Sequence, residues 1–591
     1  MAFMTNAAIP SSTSLSPHCT FPKTSQLSVL KLTTSRRLLN VSRISCRSSP
    51  NDNDKDTQST RRNILIGLGG VYGGSALNYD PFAAAQPISA VDMSTCGRAD
   101  LPQGALPTNC CPPVPTSIVD FTLPTGGPVR TRPAAHLASR EYVDKYNKAL
   151  QLMKALPADD PRNFVQQANV HCAYCDGAYH QLGFPNLELQ VHNSWLFFPF
   201  HRYYLYFYEK ILGKLINDPT FGIPFWNWDA AGGMQIPPMF VNPSSPLYDK
   251  LRSKEHQPPT LIDLDYNLQD GDVTPDKQVP HNLAIMYRQM VSNSKTASLF
   301  FGSPYRAGEE SDPGAGSIEN IPHGPVHIWT GDKTQPNYEN MGNFYSAARD
   351  PVFYCHHANV DRMWSLWKTI DGSRTEFTDP DWLEASFIFY DENAQAVRVK
   401  VKDCIETKNL GYVYQDVVVP WLTTKPKPRK SSKNVSVASI VNGEVALAAE
   451  KSTDVTPISA FPLVLARKVT VQVKRPKKSR SRKEKDDEEE LLVIEEIEFE
   501  RDSPVKFDVY VNEFEGVYGN PEFTEFAGSF VNVPHKHTHG KKMKTVLRLG
   551  LTDLLEDLGA EDDDSVFVTL IPKYGEGKVK IGGIKVDYVR D

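Results

Sequence analysis

Two groups of histidines in this sequence have a spacing that suits metal binding. His323 and His327 are four residues apart, so both imidazoles would lie on one face of a helix, as two ligands of one ion require. The adjacent pair His356 and His357 follows 29 and 30 residues after His327 and offers a further ligand. A group of three lies earlier in the chain: His171, His192 and His201.

Prolines near these histidines predict where the supporting helices begin. On one straight helix His192 and His201, nine residues apart, would point to opposite faces. Pro199 removes this difficulty, because a helix can begin there with His201 in its first turn and His192 on irregular chain before it. In the second group Pro325 is tolerated in a first helical turn, and Pro351 is predicted to start another helix.

The type of ligand narrows the choice of metal. Groups of three imidazoles without a carboxylate suit copper better than Mg²⁺ or Ca²⁺, and they do not exclude zinc. A zinc hydrolase normally recruits Asp, Glu or Cys, or carries an H-E-x-x-H helix, and this sequence has no such helix. Two groups of three also suit a coupled pair of metals, which dioxygen chemistry needs more than hydrolysis does.

Composition excludes several other classes of protein. The 591 residues predict about three or four domains of roughly 150 residues. A net charge of −6 argues against a nucleic-acid-binding protein, which usually presents a broad basic face. The sequence contains no run of 18 strongly apolar residues, so we expect no transmembrane anchor.

The N-terminal 90 residues are typical of targeting sequence. Residues 1–50 contain six Lys or Arg and eleven Ser but no Asp or Glu, as in a plastid transit peptide. Arg61-Arg62 then precedes a weakly apolar stretch and a small-residue site, which resembles a twin-arginine export signal. The order predicts plastid import followed by transfer to the thylakoid lumen, with cleavage at 85–95. The alternative is a disordered tail with a chance arginine pair.

The remaining chain predicts a mainly α core with loops and few strands, followed by a β-rich, sandwich-like or barrel-like domain. Helical patterns recur in the aromatic-rich part that ends near residue 421, for example over 142–155 and 203–216. Residues 424–456 lose their aromatic side chains and become rich in Lys, Ser and Ala, as a linker does. Runs of β-branched residues predict strands over 463–473, 491–499, 505–511, 545–549 and 565–571.

These histidine motifs resemble those of the plant polyphenol oxidases, the catechol oxidase and tyrosinase family with a type-3 dicopper centre. Within that family the sequence is most similar to the rosaceous-fruit type. The resemblance rests on the copper motifs His171-Cys-x-x-Cys175, His192-x8-His201, His323-x3-His327 and His356-His357-x2-Val-Asp-Arg362. It extends to Asp381-Trp-Leu383 and Lys506-Phe-Asp-Val509, which resemble two marker segments of the C-terminal part. The implied activity is oxidation of o-diphenols to o-quinones, with O2 reduced to water.

The resemblance implies two copper ions and their ligands. His171, His192 and His201 would bind the first, and His323, His327 and His357 the second. The thirty-residue spacing favours His357, and His356 stays open as the alternative.

The same resemblance implies roles for the cysteines. Cys175 would form a thioether with His192, and disulfides would join Cys96 to Cys111 and Cys110 to Cys172. Cys355 and Cys404 have no such role and are expected to be buried.

Two further residues are implied to act in catalysis. Glu319 matches an acidic residue that holds a water near the second copper and helps to deprotonate the phenol. A first-turn glutamate favoured by the helix dipole is the alternative. Phe344 lies where the family has an aromatic ring over the second copper. Gly324 stands where members that hydroxylate monophenols carry Asn, so we expect o-diphenol oxidation to exceed monophenol hydroxylation.

The predicted domains follow from these segments. Residues 1–90 are the targeting segment, 91–370 the dicopper domain and 371–423 a segment that closes the core. The last two are the protease-susceptible linker 424–456 and the β-rich domain 457–591, which is expected to shield the site and keep a zymogen-like enzyme latent until its removal.

Expected partners are small phenols, O2, and the plastid import and Tat machineries, without nucleic acid; peripheral association with the thylakoid membrane stays open. Two alternative functions remain: a biosynthetic phenol oxidase similar to aurone synthase, and a haemocyanin-like dioxygen carrier. His535-Lys-His-Thr-His539 is expected to be an exposed basic loop rather than a metal site.

Overall fold

Helices in the first half of the chain begin at residues suited to that position. The Ser139 hydroxyl accepts the Tyr142 N–H at the start of the first helix, and the Asn163 side chain accepts the Val165 N–H at the second. The α-helices of the described residues are α1 (Arg140–Ala155), α2 (Phe164–Cys175), α3 (Phe197–Leu215), α4 (Pro275–Met290), α5 (Ala297–Phe301), α6 (Gly324–Thr330), α7 (Phe344–Ala347), α8 (Val352–Trp367), α9 (Pro380–Leu383), α10 (Arg482–Asp487) and α11 (Thr552–Leu558).

The computed structural model describes residues 86–271, 273–429, 455–535 and 542–590. Most of the predicted targeting segment 1–90 and of the linker 424–456 lies outside the described residues, as do His537 and His539. Among the described residues, no helix is both long and apolar enough to cross a membrane.

Buried ion pairs hold α3 against α8 at the centre of the helical core. The Arg202 guanidinium donates to Asp361 at 2.5 Å, and both side chains are almost completely buried. Arg132, in a strand beside this pair, donates to Glu209 of α3 at 2.8 Å and to Asp361 at 3.1 Å. Since removal of one partner would leave a buried charge, this network fixes how the two helices pack.

Strands form small sheets beside the helices and two larger sheets in the C-terminal domain. The strands of the described residues are β1 (Ile118–Asp120), β2 (Arg130–Arg132), β3 (His180–Gln181), β4 (Phe184–Glu188), β5 (Ser386–Tyr390), β6 (Ala396–Lys400), β7 (Tyr412–Tyr414), β8 (Val455–Thr456), β9 (Leu463–Val464), β10 (Val469–Lys474), β11 (Glu489–Glu500), β12 (Val505–Val511), β13 (Phe526–Asn532), β14 (Lys542–Gly550), β15 (Ser565–Tyr574), β16 (Lys580–Ile581) and β17 (Gly583–Val589).

The C-terminal domain is a pair of sheets with its own apolar core. One sheet has the order β13-β12-β15-β10-β8, and the other has β14-β11-β16-β9, with β17 paired to β11. Valine, leucine and phenylalanine side chains of the two sheets form a core cluster that is separate from the core of the helical part. The predicted fold class, a mainly α core with a β-rich C-terminal domain, is confirmed.

Four strands of the C-terminal part were absent from the sequence-based prediction: the two-residue strands β8 and β16, and the longer strands β13 and β17. β13 contains Gly528 and Ser529, which weaken the β-branched pattern, yet every residue of this strand is buried. Its burial is explained by contact with the helical core, because β13 packs against the turn that carries His323. β17 alternates buried and exposed residues and completes the second sheet.

Candidate metal centre

Four helices and two irregular turns carry the predicted histidines. α2 carries His171, α3 carries His201, α6 carries His327 and α8 carries His356 and His357, whereas His192 and His323 belong to turns that precede helices. As predicted, His192 lies on irregular chain, although α3 begins at Phe197 rather than at Pro199. The structure brings the histidines into two buried clusters: the first cluster, His171, His192 and His201, and the second cluster, His323, His327, His356 and His357.

Most of these imidazoles share one hydrogen-bonding pattern. Nδ1 of four rings donates to a backbone carbonyl at 2.7–3.0 Å; the pairs are His171 with Phe344, His201 with Phe197, His323 with Glu319, and His327 with Met341. Nδ1 of His192 lies 3.2 Å from the side-chain oxygen of Gln190. A proton on Nδ1 leaves the lone pair on Nε2, as in metal-ligating histidines whose other nitrogen is held by an oxygen.

The free nitrogens and the protonation states both suit a metal. Nε2 of His171, His192, His201 and His323 is buried without a hydrogen-bond partner. Burial lowers the pKa of every imidazole in the two clusters, to about 3 for His201 and about 4 for His327. The rings are therefore neutral, which is the form that binds a metal ion.

The two clusters face each other across the contact between α3 and α8. The His201 ring stacks on His357 with centroids 4.3 Å apart and planes 14° apart. Nε2 of His357 in turn lies 3.2 Å from Nε2 of His327. The stacked rings of His201 and His357 therefore bring the two buried clusters into direct contact, as a coupled metal pair requires.

The adjacent histidines of α8 differ in their hydrogen bonds. Trp228 donates its indole N–H to Nδ1 of His356 at 3.1 Å, so the lone pair of the neutral His356 ring is on Nδ1. Its Nε2 then carries the proton, and this nitrogen is buried without a hydrogen-bond partner. His357 instead directs Nε2 toward His327.

Comparisons with known proteins agree with this all-imidazole donor set. The common central domain of tyrosinase matches residues 161–370, the polyphenol oxidase middle domain matches 376–427, and the chloroplastic polyphenol oxidase C-terminal domain matches 461–588. A chloroplastic polyphenol oxidase of Malus domestica is 63% identical over 549 residues, which is 92% of each chain. Aureusidin synthase of Antirrhinum majus is 54% identical over 91% of this chain and 97% of its own. The solved structure of latent apple tyrosinase is 64% identical with a TM-score of 0.75, and covers 80% of this chain and 100% of its own.

The chain belongs to the plant polyphenol oxidases of the tyrosinase family. It is therefore an enzyme that oxidises phenols, and its two histidine clusters form the dicopper centre that the tyrosinase domain implies. The Malus relative is named as chloroplastic, in agreement with the plastid address predicted from residues 1–90.

The first cluster of this polyphenol oxidase is supported by side chains and crosslinks. Gln190 accepts the backbone N–H of His192 at 3.0 Å and donates to the Cys175 carbonyl at 2.9 Å. Disulfides join Cys96 to Cys111 and Cys110 to Cys172, as predicted, and the second one ties the N-terminal extension to α2. Cys355 and Cys404 are free and buried, as predicted, and Cys175 is buried as well.

Glu319 lies beside both clusters and is 4% exposed. One carboxylate oxygen, Oε1, accepts the backbone N–H of Asn193 at 2.5 Å, and Oε2 is buried without a hydrogen-bond partner. Burial raises the pKa of the Glu319 carboxyl well above its usual range, and the N–H groups of the Asn193 turn oppose this rise. The alternative of an exposed first-turn glutamate is wrong, since the side chain is buried.

The position of Phe344 corrects an expectation from the resemblance. Its ring was expected over the second copper, but it stacks on His192 of the first cluster, with centroids 4.2 Å apart and planes 14° apart. The reason is that α7, where Phe344 is the first residue, packs against α2. The ring therefore covers the first cluster.

The C-terminal domain reaches the dicopper centre through His535, which corrects the expectation of an exposed loop there. His535 is 1% exposed and stacks on Phe344 with ring centroids 4.8 Å apart. His537 and His539 lie outside the described residues. The basic residues around His535 gave no sign of this contact, because burial comes from a distant part of the chain.

The C-terminal domain also contacts the turn before α6. The Asn320 side chain donates to the Ser529 carbonyl at 2.6 Å and accepts the Val531 N–H at 3.1 Å, so it pairs with β13 as a short strand would. A Cβ on Gly324 would lie 2.9 Å from a methyl group of Val531. A residue without a side chain is therefore needed at 324 for this close approach.

Proposed function

We propose that this enzyme oxidises o-diphenols to o-quinones in preference to hydroxylating monophenols, and that its C-terminal domain holds it latent. The observation that supports this most directly is a pair of adjacent histidine clusters, of which the first is covered by Phe344, with His535 of the C-terminal domain stacked on Phe344. The two-electron oxidation of two o-diphenols balances the reduction of one O2 to two water molecules. Copper supplies dioxygen binding and electron transfer at the centre.

We assign the ligands from the direction of the free nitrogens. His171, His192 and His201 hold the first copper, and His323, His327 and His357 hold the second. His356 is excluded because its accepting nitrogen is used by Trp228. Five of the six ligands have an oxygen at Nδ1 that fixes their tautomer, so these imidazoles need no reorganisation when metal binds. Nδ1 of His357 is buried without a hydrogen-bond partner.

Two residues act on the substrate in this proposal. Glu319 takes the proton of the phenol: its buried carboxylate has a free oxygen, Oε2, and two bound cations beside it would keep it ionised. Phe344 limits access to the first cluster and offers its face to an aromatic ring. Gly324 leaves no side chain to orient a water beside Glu319, which supports weak monophenol hydroxylation.

Latency follows from how the C-terminal domain is held on the core. Lys506, which is fully buried, donates to the backbone carbonyl and the carboxylate of Asp265 at 2.7 and 2.9 Å. His535 fills the space over Phe344. A phenol can therefore reach the centre only after this domain moves or is removed by cleavage within the linker.

Oxygen uptake and quinone absorbance with a panel of substrates test the activity. We expect fast turnover of 4-methylcatechol and slow turnover of tyrosine with a long lag. Equal rates for the two would contradict the proposed preference. Faster turnover of a chalcone than of any catechol would instead favour an activity similar to that of the aureusidin synthase relative.

Limited proteolysis tests latency. Turnover of 4-methylcatechol is expected to rise when the linker is cut and the C-terminal domain is separated by size-exclusion chromatography. An unchanged rate after complete loss of the domain would contradict shielding.

Two further assignments belong to this proposal. Cys175 forms a thioether with His192, supported by the shared contact with Gln190; mass spectrometry of the joined peptides would show the loss of two hydrogen atoms. The enzyme is exported to the thylakoid lumen, supported by Arg61-Arg62 after the acid-free segment. Import into isolated chloroplasts with Arg61→Lys and Arg62→Lys is expected to stop in the stroma.

A further inference from the structure

Asn193 connects the ligand turn of the first cluster to Glu319. It follows His192 directly and has a φ of +55°, which a residue other than glycine adopts at some cost unless its surroundings hold it. Its backbone N–H donates to Glu319 at 2.5 Å. The direction of this N–H, and with it the position of the Glu319 carboxylate, depends on the left-handed conformation at Asn193.

A neighbouring loop holds Asn193 in that conformation. The Asn193 side chain donates to Oδ1 of Asp312 at 3.0 Å, and the Asn193 carbonyl accepts the Gly314 N–H at 2.9 Å. Asp312 is 1% exposed and belongs to neither histidine cluster. Its hydrogen bond to the Asn193 side chain connects it to the ligand turn, and its charge also acts directly on the Glu319 carboxyl.

The other oxygen of Asp312 belongs to the contact with the C-terminal domain. The Arg501 guanidinium pairs with Oδ2 of Asp312, and it also donates to the Ser311 hydroxyl at 3.4 Å. One buried carboxylate thus bonds to the ligand turn through one oxygen and to the shielding domain through the other.

We propose that Asp312 is a positioning residue for Glu319, and that Arg501 anchors the C-terminal domain on this same carboxylate. Asp312 fixes Asn193, and Asn193 presents its N–H so that the Glu319 carboxylate stays directed at the phenol. The inference rests on the proposed role of Glu319 as the base. It adds a residue to the reaction that neither contacts substrate nor binds metal.

The full-length chain with Asp312→Ala and Asp312→Asn separates the two roles of the carboxylate. Asn keeps an oxygen that accepts from Asn193 but removes the charge that pairs with Arg501; Ala removes both. The matched control is Asp265→Ala, because Asp265 also forms a buried ion pair with the C-terminal domain, through Lys506, but has no hydrogen bond to Asn193.

The first measurement is hydrogen–deuterium exchange of the Asn193 amide in the metal-free proteins. In Asp312→Ala we expect this amide to exchange about tenfold faster, since its turn has lost a buried hydrogen bond. Asp312→Asn and Asp265→Ala should keep the wild-type rate. Unchanged exchange in Asp312→Ala, or equally fast exchange in Asp265→Ala, would overturn the proposal.

The second measurement is turnover of 4-methylcatechol by the copper-loaded chains after detergent has loosened the C-terminal domain from the helical core. Asp312→Ala should lower kcat about tenfold with little change in KM, as for residues that orient a catalytic group. Asp312→Asn should restore kcat, while its activity without detergent exceeds that of the wild type because the anchor to Arg501 is lost. A fall in kcat as large for Asn as for Ala would overturn the positioning role.

Glu319→Gln distinguishes failure of this inference from failure of the proposed function. Full turnover in Glu319→Gln would remove the base from the mechanism, whereas the exchange rate at Asn193 would still decide whether Asp312 holds the turn.

Discussion

The two histidine clusters bind the same kind of ion with different supports. The second cluster draws its ligands from α8, from α6 and from the turn that runs directly into α6. Nδ1 of His323 and Nδ1 of His327 each donate to a backbone carbonyl. The first cluster takes His192 from a turn, and a side chain, Gln190, holds that ring. A helix fixes its ligands through its own geometry, whereas a ligand on irregular chain needs side chains and crosslinks to hold it.

The sharpest test within the second cluster uses the adjacent histidines of α8. His357→Gln should reduce copper toward one ion per chain and lower turnover more than about 100-fold, beyond the range typical of outer-shell residues. His356→Gln should keep both ions and most of the turnover, because glutamine can still accept from Trp228. Copper analysis and 4-methylcatechol turnover are the measurements. The reverse order of the two variants would show that our assignment of the ligand is wrong.

Gln190 tests whether side-chain support is specific to the first cluster. Gln190→Ala removes the oxygen bound to His192 Nδ1 and the link to the Cys175 carbonyl. We expect turnover to fall about tenfold, as for other residues that orient a metal ligand. Gln190→Glu keeps an acceptor and serves as the control. If Gln190→Ala keeps full turnover, then the turn itself holds His192 and the contrast between the clusters disappears.

The C-terminal domain contacts the surroundings of the two clusters in different ways. Over the first cluster, His535 stacks on Phe344; beside the second, Val531 packs closely against the backbone of Gly324. Gly324→Ala places a methyl group 2.9 Å from Val531, so the domain must shift. Without detergent or cleavage, the full-length Gly324→Ala variant should be a few-fold more active than the wild type. This increase is equivalent to a loss of about 1 kcal/mol in the free energy with which the domain binds to the core. The double variant Gly324→Ala with Val531→Ala should restore latency. Loss of latency in the double variant as well would place the strain elsewhere.

The sequence predicts local geometry better than it predicts contacts between distant segments. Histidine spacing and the prolines at 199, 325 and 351 predicted that His192 precedes a helix and that His201, His327 and His357 lie within helices. His323 was predicted on the same helix as His327, but it lies in the turn before α6. The burial of His535 could not be predicted, because its neighbours are basic and its partner, Phe344, is 191 residues away. Glu319 was found through the family resemblance, whereas the interactions that hold it, through Asn193 and Asp312, have no local pattern.

Removal of the disulfide between Cys110 and Cys172 is expected to have the smallest effect on turnover, and it tests whether a crosslink supports the first cluster. Cys172 is adjacent to His171, so this bond supports the first cluster only. Cys110→Ser with Cys172→Ser should lower the free energy of unfolding by about 2–4 kcal/mol, since 62 residues separate the cysteines. Copper content and turnover at room temperature should change little, because the His171 ring is still held by the Phe344 carbonyl.

The control is the pair Cys96→Ser and Cys111→Ser. These cysteines are only 15 residues apart, so the loss of stability should be smaller. Thermal unfolding and copper analysis of both double variants decide the point. If the variant without the Cys110–Cys172 bond loses the first copper while still folded, then the crosslink sets the geometry of His171. Helical support would then be insufficient even for a ligand that lies within a regular helix, and the difference between the clusters would come from their crosslinks rather than from the irregular turn at His192.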